Sequence, residues 1–267
     1  MERIKQALEK ARQERALRQG GSAAAATAAA ITEMRTGDLP GARTQSIELD
    51  EAVLRENRII TGLEPGPFTE SYNILRTQVL QRFKENNWNV LGVTSPGSGE
   101  GKTLTAINLA ISIAREVDYS VLLVDANLRH PWMMEHFGLS RRKGLSDYLT
   151  GDVPLPELLF QSGRIEHLTL LPAGQPLANS AEMLNSPKMV ELVRDMKSRY
   201  HSRIIIFDLP PVLTFADALA FTPYVDAVLL VIEEGRTQKP DVERAVELLS
   251  NTNIVGTVLN KAEPKPS

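Results

Sequence analysis

The sequence predicts an α/β fold: a doubly wound, mostly parallel sheet with helices on both faces. Three observations carry that prediction. From residue 88 onward, short runs of β-branched and other apolar residues alternate with longer amphipathic runs, as strands covered on both faces alternate with helices. A glycine-rich stretch separates the first short run from a helical one. Two further short runs end in aspartate, the placement expected at the carboxyl edge of a parallel sheet, where ligands bind.

The elements follow in order. Residues 1–18 set Ile4, Ala7, Leu8 and Ala11 at helical spacing among Lys, Arg and Glu, and Gly20-Gly21 ends the pattern, so an amphipathic helix is expected there. The Ala- and Thr-rich stretch that follows has too little bulky apolar content to offset its ordering entropy, and residues 1–45 are assigned to this helix plus linker. Residues 46–87 read as a helical lead-in. Its first helix begins near Leu49 and carries Leu54, Ile59 and Ile60; "GLEPGP" then breaks the chain. The second helix, "FTESYNILRTQVLQRFKENN", places Tyr72, Leu75, Val79, Leu80 and Phe83 on one face, with Thr69 as its expected cap.

Residues 88–263 form the expected core. Strands are expected at 89–95, 120–126, 168–173, 203–209, 226–233 and 254–260, with helices at 102–117, at 186–200 capped by Ser186 with Pro187 in its first turn, and at 239–251. Residues 264–267 are a short tail.

Composition removes several classes of function. The 267 residues are 42% apolar and 24% charged, enough for one substantial core with appendages. A net charge of −3 gives no global argument for a nucleic-acid partner, and none is expected. With no cysteine there is no disulfide framework, thiolate metal site or cysteine-held iron–sulfur cluster, and a reducing, cytoplasmic setting fits. The run Ala23 to Ile31 follows a basic segment as a signal peptide would, but Glu2, Glu9 and Glu14 precede it and it falls well short of the about 20 apolar residues a spanning helix needs. Membrane contact is therefore expected through a partner or a surface helix.

The glycine-rich stretch is "TSPGSGEGKT", Thr94 to Thr103. Between a strand and a helix it has the context of a phosphate-cradling loop. Glycines at 97, 99 and 101 permit positive φ and close approach, so backbone N–H groups and the helix N-terminus can face phosphate oxygens. The expected binding set is Gly97, Ser98, Gly99, Glu100, Gly101, Lys102, Thr103 and Leu104, with Lys102 on the β- and γ-phosphates and the Thr103 hydroxyl on magnesium. Pro96 stands where the pattern G-x-x-x-x-G-K-[ST] has its first glycine. In "VLLVDANLRHP" and "IIIFDLPP", Asp125 and Asp208 end their strands and would face the same crevice, where a carboxylate holds a metal ion or accepts a proton.

These motifs resemble those of the bacterial tyrosine kinases, a P-loop family that works with polysaccharide co-polymerases in capsule and exopolysaccharide export. The resemblance runs from about Thr69 to Lys261 and includes "GLSDYLTGDV", "LLPAGQPLANSAEML" and "GRTQKPDVERAVELL". It implies ATP and Mg2+ as cofactors, with "SPGSGEGKT" as Walker A, "VLLVDANLR" as Walker A′ and "IIIFDLPP" as Walker B. By the same resemblance, Lys102, Asp125, Asp208 and Arg129 are catalytic and Thr103, Asp125 and Asp208 hold the metal. Arg129 is at the family's Walker A′ arginine position or is a structural arginine; Asn260 contacts adenine or caps a strand end. A membrane co-polymerase partner, a homo-oligomer and a cytoplasmic place at the inner face of the plasma membrane are implied too.

Three departures from the family pattern stand out. Asn127 replaces a second Walker A′ aspartate, and the ring-assembly pattern E-x-x-R-x-x-R reads Glu70, Asn73, Arg76. The chain ends "LNKAEPKPS" without a tyrosine cluster, its five tyrosines being 72, 119, 148, 200 and 224. Phosphate is then expected on a tyrosine of another protein, on an internal tyrosine, or on water, the last making the protein a regulatory ATPase. The partitioning and septum-positioning ATPases share the fold, but their signature lysine falls where Gly97 stands. The iron–sulfur carrier ATPases are excluded by the lack of cysteine.

Overall fold

A computed structural model describes residues 45–61, 66–151, 153–199 and 203–262, all within one unit, Arg43–Ser267. The expected helix over 1–18, its linker, and the tail 264–267 lie outside the described residues. Eight described strands form one sheet: β1 (Gln45–Ile47), β2 (Val90–Thr94), β3 (Ser120–Asp125), β4 (Phe160–Ser162), β5 (Leu168–Leu171), β6 (Arg203–Asp208), β7 (Ala227–Glu233) and β8 (Ile254–Asn260). Their order across the sheet is β1-β4-β5-β3-β6-β2-β7-β8. All neighbours run parallel except β4 and β5.

Every residue of β2 and of β6 is buried, so both faces of the sheet are covered at its centre. Each fully buried Val, Leu or Ile there contributes on the order of 1.5–3 kcal/mol. The six expected strands are all present within a residue or two of their expected ends. β1 and β4 are additions, paired with each other at the far edge.

The lead-in corrects the sequence reading. The described part of the lead-in begins with β1, not a helix, and its first described helix, α1 (Glu51–Glu56), stops before Ile59 and Ile60. Asp50 caps α1 by accepting from Ala52 N. The helix ends in a left-handed turn at Arg58 (φ 57°), where Arg58 N donates to Arg55 O and Ile59 N to Leu54 O. Asn108 then holds the exit by accepting from Ile60 N at 2.9 Å and donating to Arg58 O at 3.0 Å. Ile59 and Ile60 are thereby buried in non-helical chain. α2 (Pro67–Asn86) buries Tyr72, Val79 and Phe83, with Leu75 and Leu80 packed against the same core. Its cap is Gly66, with Pro67 at the first helical position, so Thr69 lies inside the first turn and caps nothing.

α3 (Lys102–Ala114) is buried almost throughout and packs beneath the sheet centre, contacting β2, β3, β6 and β7. The short helices α4 (Met133–His136), α5 (Leu145–Thr150) and α6 (Ser180–Leu184) follow, then α7 (Pro187–Arg199), where Ser186 accepts from Met189 N as expected of a cap. α8 (Asp217–Phe221) and α9 (Lys239–Leu248) complete the set. Glu70, Asn73 and Arg76 act within the chain. Asn73 donates to Glu70, Arg76 donates to Asn73 and to Ser112 O, and Arg76 pairs with Glu116 at 2.9 Å.

Candidate functional site: a phosphate loop over two buried aspartates

The loop between β2 and α3 rises at the carboxyl end of the central strand. Gly99 and Gly101 have φ of 82° and 91°, the left-handed region; Gly97 does not, so only two of the three glycines serve as expected. At Gly101 a Cβ would also strike the Asn260 amide. Gly101 is the N-cap of α3, placing that helix's free N–H groups at the loop.

Beneath the loop the strand-end carboxylates meet. Asp125 and Asp208 are directly paired across β3 and β6, each 1% exposed. Thr103 donates to Asp208 Oδ2 at 2.7 Å, and Lys102 Nζ lies 3.1 Å from Thr103 Oγ1 and 3.4 Å from Asp208 Oδ1. Asp125 accepts from Asn127 N at 3.1 Å and Met133 N at 3.3 Å. Burial, then the neighbouring Asp208, pushes the Asp125 carboxyl up to about 8, while Lys102 and the two backbone amides pull it down. Two carboxylates and a hydroxyl in a dry site form an all-oxygen donor set, which suits a hard divalent cation such as magnesium. Among the described residues no cluster of three or more His, Asp or Glu side chains converges as a metal cage. An ion here would complete its shell from phosphate and water oxygens, the usual habit of magnesium.

Beside the loop opens a cavity of about 440 Å³. Ser98, Gly99, Gly101, Lys102, Thr103 and Leu104 form its loop side; Asn127, His130, Trp132, His136, Pro211 and Phe215 form the other.

Three expected site residues are held by contacts within the folded chain. Glu100 is buried and braces the loop: its carboxylate accepts from Gly97 N at 2.8 Å and from Thr237 Oγ1 at 2.5 Å. Asn260 donates to Glu100 O at 2.9 Å, tying the end of β8 to the loop. Lys261 donates to Gly99 O at 2.9 Å, and its ammonium beside Glu233 holds that carboxyl below its usual range. Arg129 pairs with Asp217 Oδ2 at 3.6 Å, with its guanidinium 4.9 Å from the Phe215 ring centre. Asp217 in turn accepts from Ser180. Thr237, Lys261, Asp217, His130, Trp132 and Phe215 were not singled out in the sequence as site residues, because only the folded chain brings their segments to the loop.

The loop, the strand-end carboxylates and the parallel sheet define a P-loop ATPase-type domain, and a family model described as "AAA domain" matches residues 89–260. Within that class, the chain belongs to the bacterial tyrosine kinase family. It is 33% identical over 217 residues to "Tyrosine-protein kinase YwqD" of Bacillus subtilis, covering 78% of this chain and 90% of that one. The solved kinase domain of Escherichia coli tyrosine kinase ETK matches with a TM-score of 0.68 and 26% identity, over 85% of this chain and 94% of that one. A septum site-determining protein, MinD from Pyrococcus horikoshii, shares the fold with a TM-score of 0.54 at 22% identity, over 66% of this chain and 72% of that one.

Proposed function

We propose that this protein binds ATP with magnesium and transfers the γ-phosphoryl group to the phenolic oxygen of a tyrosine, in a system that regulates capsule or exopolysaccharide polymerisation and export. The observation that carries the reading is the convergence of Lys102, Thr103, Asp208 and Asp125 at the carboxyl ends of the central strands. In the proposed reaction the phenolic oxygen forms a bond to the γ-phosphorus, the bond from that phosphorus to the β–γ bridging oxygen breaks, and ADP leaves. The phenolic proton passes to the Asp125 carboxylate. Lys102 moves from Asp208 to the β- and γ-oxygens, and the amides ahead of Leu104 hold the polyphosphate. When bound, magnesium supplies charge neutralisation at the phosphate oxygens, and Thr103, Asp208 and Asp125 are the residues that would hold it.

In this reading a membrane co-polymerase activates the protein at the inner face of the plasma membrane, and membrane contact comes through that partner. No helix among the described residues is long and apolar enough to cross a membrane. We assign Arg129 to the transition state only after it leaves Asp217, and Asn260 to the loop brace, with adenine contact as its second role.

A regulatory ATPase is the second reading. It is favoured by the four described tyrosines, 72, 119, 148 and 224, all at least half-buried and none lining the cavity. Incubation with ATP and magnesium followed by phosphotyrosine mass spectrometry, in wild type and in Lys102→Met, separates the two. Label on tyrosine in wild type alone supports the kinase; phosphate release without label supports the switch. Equal turnover in both proteins overturns the site assignment.

A further inference from the structure

The two sides of the cavity differ in chemistry, and a polyphosphate accounts for only one. The loop side offers amides, a lysine and a hydroxyl; the opposite side is Asn127, His130, Trp132 and His136 from the segment after β3, with Pro211 and Phe215 from the segment after β6. Four of those six side chains carry aromatic rings. Trp132 is 54% exposed, a large ring left facing water, and His130 lies 5.8 Å from Phe215 between ring centres. The backbone beneath Trp132 is fixed on both sides: Asp125 accepts from Met133 N, and the His136 ring is hydrogen-bonded to Trp132 O at 3.0 Å.

Sheet order decides what this wall faces. β2 lies between β6 and β7, so the loop that follows it has two flanks. On the β7/β8 flank, Thr237, Asn260 and Lys261 hold the loop from behind, and none of them lines the cavity. The β3/β6 flank carries Asp125 and Asp208, which mark where the metal and the γ-phosphate sit, and it is here that the aromatic wall stands. In-line displacement needs the attacking oxygen on the side of the phosphorus opposite ADP, so acceptor and nucleoside leave the loop in opposite directions. The aromatic wall is on the acceptor's side. None of the described tyrosines of this chain lines the cavity, which favours a ring presented by another molecule.

We propose that Trp132, with His130 and Phe215, forms a docking subsite for the ring of an acceptor tyrosine presented by a separate polypeptide. The subsite rests on the kinase reading and deepens it. It gives an aromatic acceptor an advantage over serine or threonine, because stacking on Trp132 holds the phenolic oxygen toward the loop.

The chain has two tryptophans, so a Trp88→Phe variant leaves Trp132 as its sole indole reporter. With that variant loaded with ADP and magnesium, titration with N-acetyl-nitrotyrosinamide is expected to quench fluorescence saturably. A Trp132→Phe protein, reporting from Trp88, is expected to show only linear collisional quenching. In parallel, Trp132→Ala should raise KM for a glutamate–tyrosine copolymer about tenfold, the equivalent of one well-packed aromatic pair, with ADP affinity held within about twofold. Linear quenching of Trp132, or a fall in ADP affinity matching the fall in transfer, overturns the subsite. Should wild type release phosphate and label no tyrosine while Trp132 still saturates, the kinase reading falls and the acceptor role of the subsite falls with it, leaving only an aromatic-ring site. Tyrosine labelling without saturable quenching keeps the kinase and removes the subsite.

Discussion

Asp125 and Asp208 stand opposite each other as the last residues of adjacent parallel strands, both buried, with the Lys102 ammonium 3.4 Å from Asp208. One nearby cation for two carboxylates is an unbalanced arrangement in a dry site, and Asp125 answers by holding its proton. Without nucleotide or metal, folding raises its pKa from 3.8 to about 8, so between those values the folded protein keeps a proton that the unfolded chain has released. The contribution to stability is fully present below the unfolded value and declines as pH rises toward 8, at up to about 1.4 kcal/mol per pH unit. Denaturant midpoints measured from pH 5 to 8 should fall in wild type and fall much less in Asp125→Asn. Parallel curves would acquit this carboxyl.

Under the proposed function, Lys102 is the cation that leaves Asp208 for a triphosphate. Lys102→Met is expected to cut phosphate release by at least about 10²-fold, the usual cost of removing one charge-stabilising donor. Single-turnover assays with circular dichroism as a folding control check it.

Gly101→Ala forces a side chain into a left-handed conformation and against the Asn260 amide. A loss of about 1–3 kcal/mol is expected, read as a lower denaturant midpoint at constant slope. Adding Asn260→Ala should recover part of it, because the collision is then relieved while the backbone strain remains.

Glu100→Ala removes the carboxylate that joins Gly97 to Thr237. The loop then loses a preformed shape, and ATP affinity by calorimetry is expected to weaken about tenfold. Thr237→Val should reproduce part of the loss, since the Gly97 contact survives. Unchanged affinity in both would mean that the brace does not shape the binding loop.

The core strands were legible because each is an uninterrupted apolar run whose burial on two faces leaves little choice of residue. β1 and β4 were not: "QSI" and "FQS" are three residues each, too short to show alternation, and they are strands because they pair with each other. Ile59 and Ile60 read as helix because helical spacing is local, whereas Asn108, which satisfies the backbone at Arg58 and Ile60, lies about 50 residues away. Thr69 read as a cap on its residue type; Pro67, with its preset φ, begins the helix two residues earlier.

The sequence by itself determined the alternating sheet, the glycine loop and the identity of Lys102, Thr103, Asp125 and Asp208, since each depends on residue type within a short window. Tertiary structure alone decided that Glu100 and Asn260 brace the loop, that Arg129 rests on Asp217 and Phe215, and that Trp132 and Phe215 share one wall. Those contacts join segments far apart in the chain. They follow from strand order, which is set by how whole faces bury against one another and which no local stretch encodes.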